Sequence, residues 1–144
     1  MISYYDLVNF LESLLTEPRS DSIVERLNSL DVNLEGDRYF RFLDHLSLLI
    51  QDRLSNAYNN LLDKIPSIGN DDNRFSIEFK EYTDEVSLVF SIASIKLVHE
   101  ENQMQLGRII MQTNNKILDE IKKNYFDEDT FIINTINNAY LEEK

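Results

Sequence analysis

The sequence predicts an all-α fold, a single-domain bundle of five to seven helices occupying residues 1–144. Three observations carry this. Only three Gly and two Pro occur in 144 residues, too little turn chemistry for a many-stranded β fold. Apolar residues recur at spacings of three and four along most of the chain. Capping signals stand in front of the first two of these stripes. The length suits one domain with one core, and 42% apolar with 28% charged residues is a globular composition.

The first helix is predicted from Ser3-x-x-Asp6, with Leu7, Val8, Leu11, Leu14 and Leu15 as its apolar stripe and Pro18 as its stop. Ser22-x-x-Glu25 repeats the signal, with Ile23, Leu27 and Leu30 on one face. A long third helix should run from Asp37 to Ile65, where Pro66 ends it. Its stripe includes Tyr39, Phe42, Leu46, Ile50, Leu54, Leu61 and Ile65. Residues 66–74, "PSIGNDDNR", combine Pro, Gly, Asn and Asp and predict a loop.

Residues 75–98 admit two readings. Phe75, Ile77 and Phe79 alternate as in a strand, and Thr83–Glu85 could turn a β-hairpin, which would make the fold α+β. A helix instead places Phe75, Phe79, Tyr82, Val86, Val89 or Phe90, Ala93 and Leu97 on one face, and Ile77, Leu88, Ile92 and Ile95 on a second. The helix accounts for more residues and is the expected form. The stripe changes phase near residues 99–102, then continues through Leu106, Ile110, Thr113, Ile117 and Ile121. Asp127 is placed to cap a last helix bearing Ile132, Ile136 and Tyr140.

Charge is the main global clue. With 14 basic and 26 acidic residues the net charge is −12. Phosphate backbones and anionic lipid surfaces repel such a chain, so neither direct nucleic-acid binding nor membrane binding is expected. The absence of cysteine excludes disulfides and thiolate chemistry. The N-terminus carries Asp6 and Glu12 in place of a signal peptide's basic and unbroken apolar regions, and no apolar run approaches the roughly 20 residues of a membrane span. A cytoplasmic location is expected.

Three constellations could carry chemistry. Asp31, Asn33, Glu35 and Gly36 open like a calcium loop, but the twelfth position, which needs a bidentate Glu, is Phe42. The stretch is therefore expected to be a turn, with Gly36 permitting it and Asp37 capping the next helix. Arg38 and His45, seven residues apart on one side of a helix, resemble the Arg-x(4–6)-His motif of HEPN-type ribonucleases. That resemblance implies a small all-α domain in which His45 acts as base and Arg38 steadies the phosphate. Glu78-x-x-Glu81-x-x-Asp84 resembles half of the magnesium site of the all-α MazG-type nucleotide pyrophosphatases. The matching second half is missing, since Gln103 and Met104 stand three residues after Glu100 and Glu101. No metal or cofactor is expected.

What survives is surface character. Carboxylates cluster at Asp71-Asp72, Asp84-Glu85 and Asp127-Glu128-Asp129, and these seven are the candidate partner-binding residues. Asn56, Asn59 and Asn60 form a further polar group at helical spacing. The function predicted first is a non-enzymatic acidic binding module that inhibits or neutralises a basic protein partner, as immunity proteins, antitoxins and phage-encoded inhibitors do. Second stands a helical scaffold or homodimer built on the helix beginning at Asp37. Third stands the ribonuclease, with Arg38 and His45 as its catalytic candidates.

Overall fold

The computed structural model describes residues 1–68 and 72–124. Five α-helices are found among the described residues, α1 (Tyr4–Ser13), α2 (Ser22–Asn28), α3 (Asp37–Ile68), α4 (Asp72–Ala93) and α5 (Glu100–Asn124). The only pairing outside helices among these residues is an isolated parallel bridge, Ile2 with Val32. The predicted last helix lies outside the described residues.

Three long helices form the body. α3 is antiparallel to α4, as the Arg53–Glu85 and Lys64–Glu78 pairs show. It is parallel to α5, because Tyr39 bonds Asn102 and Tyr58 bonds Glu120. The short helices α1 and α2 lie against α3 and α4 respectively. One continuous core results, joining Leu7, Leu11 and Leu14 of the first segment to Phe42, Ile50, Phe79, Val89 and Ile110 of the body.

Residues 75–93 are helical throughout, so the hairpin alternative is excluded. Phe75, Phe79, Tyr82, Val86, Val89 and Ala93 are buried, as the helical face requires, while Phe90 is half-buried and Leu97 lies beyond the helix end. The second apolar face holds only in part. Leu88, Ile92 and Ile95 are buried, but Ile77 is 65% exposed. α2 meets α4 near its C-terminal half, where Val24 lies by Leu88 and Asn28 accepts from the Lys96 backbone N–H. The other end of that face has no such cover.

Four boundaries differ from the sequence expectation. The helix expected over residues 75–98 ends at Ala93, so Ile95 and Leu97 lie in the turns that follow it. α1 stops at Ser13, five residues before Pro18, and the Leu14 and Glu17 carbonyls accept hydrogen bonds from the Arg53 guanidinium. A distant side chain, not proline, holds this end. α2 begins at Ser22 itself, so Ser22 is not its cap. The predicted loop at 66–74 is shorter, because α3 runs through Pro66 to Ile68 and α4 starts at Asp72. Pro66 removes one donor, near a helix end where the loss is small, and burial of Ile68 (4% exposed) offsets it. At about 1.5 Å per residue, α3 is therefore nearly 50 Å long.

The turn before α3 is as expected. Gly36 has φ +58°, the left-handed region. A Cβ there meets nothing within 4 Å, so Gly36→Ala tests backbone strain alone. It should destabilise the protein by about 1 kcal/mol, read as a lower denaturation midpoint with an unchanged m-value.

Candidate functional site: an acidic groove between α2 and α4

A groove of about 710 Å³ separates α2 from the C-terminal half of α4. Local sequence sets its walls. Asp21, the residue just before α2, and Glu25 on α2 are one turn apart on the exposed side, while Ile23 and Leu27 turn inward. On α4, Asp84, Ser87 and Ser91 share a polar stripe at helical spacing. Half-buried Val24 supplies its apolar part, with the edge of buried Leu88 (8% exposed) at its floor.

Arg19 closes one end. Its Nη2 donates to Glu81 Oε2 at 3.0 Å and lies 3.8 Å from Asp84 Oδ2, while Nη1 donates to the Glu81 carbonyl at 3.1 Å. Lys80 also contacts both Asp84 oxygens at 3.1 Å. Asp84 is thus partly neutralised. Asp21 and Glu25 are exposed and form no ion pair among the described residues.

Beyond Arg19 lies a second cleft of about 520 Å³, bounded by the α1–α2 connection, α3 and α4. Asn56, Asn59 and Asn60, grouped by sequence spacing, line it together with Lys64, Glu78 and Glu81. Arg53 and Glu85 also line it. These two are 5% and 7% exposed and form a bidentate pair, Nε to Oε1 and Nη2 to Oε2 at 3.2 Å.

The predicted partner-binding residues therefore divide. Asp84 lies in the acidic groove. Glu85 is not at the surface, because a helix turns adjacent residues by about 100° and sends this carboxylate inward to Arg53. Asp72 begins α4. Asp71, Asp127, Glu128 and Asp129 lie outside the described residues. The sequence reading missed Asp21, Glu25 and Arg53. Arg53 left a signal, for it interrupts the apolar stripe seven residues after Leu46 and three after Ile50. A lone charge on a core face implies a buried counter-charge.

The other candidates are placed as follows. Arg38 is exposed and lines a pocket of about 440 Å³ with Met1–Tyr5 and Asn33; His45, half-buried on α3, is not part of its walls. No hydrogen bond joins Arg38 to His45. Glu78, Glu81 and Asp84 do not converge on a vacant centre, since Lys64, Arg19 and Lys80 respectively pair with them. Asp31 lies 3.7 Å from the N-terminal ammonium. Among the described residues no three His, Cys, Asp or Glu side chains form a group able to hold a metal ion, and no helix is long and apolar enough to cross a membrane.

No family model, no curated protein and no solved structure matches this chain. What the arrangement can do rests on its own chemistry. The groove offers unpaired carboxylates beside a small apolar surface and hydroxyls. That combination suits a lysine or arginine, whose aliphatic stem can lie on Val24 and Leu88 while its cation reaches Asp21 and Glu25.

Proposed function

We propose that the protein is a non-enzymatic binding module that captures a basic protein partner through the α2/α4 groove. It acts as an inhibitor or neutraliser of the immunity-protein, antitoxin or phage-inhibitor kind. The observation that carries this reading is the pair of unneutralised carboxylates, Asp21 and Glu25, beside the apolar surface of Val24 and Leu88. Arg19 supports it from within the chain, because the same wall of α4 already holds one guanidinium against Glu81 and Asp84. The net charge of −12 adds long-range attraction for a cationic partner, speeding association and rejecting anionic competitors.

The test is a tagged pull-down from the native host at low and high salt, with mass spectrometry of the eluate. One stoichiometric basic protein, released by salt, is the expected result. Recovery of this chain alone at both salts would defeat the proposal. With the partner in hand, Asp21→Lys combined with Glu25→Lys should weaken binding by roughly tenfold or more at low salt, chiefly through slower association. The difference should shrink as ionic strength rises. Equal affinity of variant and parent at low salt would remove the groove from the interface.

A further inference from the structure

The cleft between the α1–α2 connection, α3 and α4 has a volume of about 520 Å³, within the usual range for a binding pocket. Its charges are neutralised inside the chain. Arg19 pairs with Glu81, Lys64 with Glu78, Arg53 with Glu85, and Glu17 with Arg26 of α2. An ionic ligand would have to break one of these pairs. A cation finds free carboxylates in the α2/α4 groove instead, and an anion is repelled by the net charge of −12. The cleft therefore suits a ligand without charge.

Its hydrogen-bonding groups, by contrast, are open. Asn56, Asn59 and Asn60 are exposed along one wall, and their side-chain amides form no hydrogen bond among the described residues. Each amide offers one acceptor and two N–H donors. At the floor, Arg53 is 5% exposed and directs four N–H groups to Glu85 and to the Leu14 and Glu17 carbonyls. A guanidinium carries five, so one remains on Nη2 beside the Glu85 carboxylate. Donors and acceptors therefore stand side by side, the pattern that a backbone amide complements with its own N–H and C=O. Tyr82 is the only aromatic residue lining the cleft among the described residues, and it is 2% exposed. No ring face is open to stack a nucleobase or another flat ring.

Spacing favours an extended chain. Asn56 and Asn60 are one turn apart on α3, about 6 Å along its axis. In an extended peptide the N–H and C=O of alternate residues face the same side and recur every ~6.6 Å. The two repeats agree to within about 1 Å. From Asn56 to Lys64 the wall is about 12 Å long, room for roughly four extended residues. We propose that this cleft binds an uncharged, extended peptide segment of another protein, whose backbone amides pair with the side-chain amides of Asn56 and Asn60. Half-buried Leu15 and exposed Pro18, which also line the cleft, give its side chains apolar contact. The proposal does not rest on the α2/α4 groove, since Asp21, Glu25 and Asp84 lie outside this cleft.

Panning a phage-displayed library of random linear heptapeptides on the full chain tests it, at about 0.5 M salt to screen surface charge. Uncharged sequences should be enriched. An enriched peptide, synthesised and titrated by calorimetry, should bind the parent and lose roughly tenfold or more in affinity for the Asn56→Ala, Asn60→Ala double variant. Both positions are exposed on a helix, where alanine is the better helix former, so the variant should melt no lower than the parent. Asp21→Lys with Glu25→Lys should leave this binding unchanged. The proposal is overturned if no sequence is enriched, or if enriched peptides bind the asparagine variant as tightly as the parent. It is overturned equally if the enriched peptides are basic and are lost with the groove variant, which would assign peptide capture to the α2/α4 groove.

Discussion

Glu85→Leu is expected to destabilise the protein by about 3–5 kcal/mol, the range for removing one partner of a buried ion pair. Arg53 is 5% exposed and spends its guanidinium on Glu85 and on the carbonyls of Leu14 and Glu17. Without Glu85 it keeps the two carbonyl acceptors but holds a full positive charge with no counter-ion in a poorly solvated site. The converse change, Arg53→Met, leaves the Glu85 carboxylate alone and also removes the donor that holds two carbonyls past the end of α1. It should cost at least as much, and the first segment should lose hydrogen-exchange protection before the rest of the bundle. The double variant, Arg53→Met with Glu85→Leu, tests the cause. If uncompensated charge is the main penalty, the double variant is more stable than either single one. Simple addition of the two single effects, seen in urea titrations, would assign the loss to packing instead. Total stabilities of 5–15 kcal/mol are usual for domains, so either single change alone threatens the fold.

Phe79→Ala should cost about 3–5 kcal/mol, the usual loss for truncating a buried aromatic ring. Phe79 is 1% exposed and stands between Phe75 and Tyr82, with ring centroids 5.6 and 5.8 Å away. Ile77→Ala, two residues earlier, should change stability by no more than about 0.5 kcal/mol, because Ile77 is 65% exposed. The contrast is diagnostic of the helix. In a strand, residues two apart share a face, and 77 and 79 would be about equally sensitive. Comparable losses at both positions, measured by thermal or urea unfolding, would contradict the helical register of α4.

Much of the fold is legible in the sequence because helical periodicity is a local property. The stripe through Tyr39, Phe42, Leu46, Ile50 and Leu54 locates the body of α3, and all five residues are buried. Ser3 is read as a cap from its spacing to Asp6, and its Oγ accepts the Asp6 N–H at 3.1 Å. Gly36 is marked as a turn residue by its position between two stripes, and its positive φ agrees. The same local rules decide the harder case of residues 75–93. There a three-residue alternation competed with a stripe several turns long, and the longer pattern prevailed because it buries more aromatic surface.

The candidate site was far less legible. Asp84 and Glu85 look alike in the sequence, yet one borders a groove and the other is paired with a buried arginine 32 residues earlier. Asp21 and Glu25 look like ordinary charges at the start of a short helix until α4 is placed opposite them. By itself the sequence determined the five helices of the described residues, the principal turn, most of the core faces of the long elements and the excess of negative charge, because each depends on neighbours within a turn or two or on composition alone. The tertiary structure decided where α1 ends, that Ile77 is uncovered, which carboxylates are neutralised and which apolar residues remain in water. Those outcomes depend on pairings such as Arg19 with Glu81 and Arg53 with Leu14, between residues dozens of positions apart. No local spacing encodes them, since they exist only once the helices have packed.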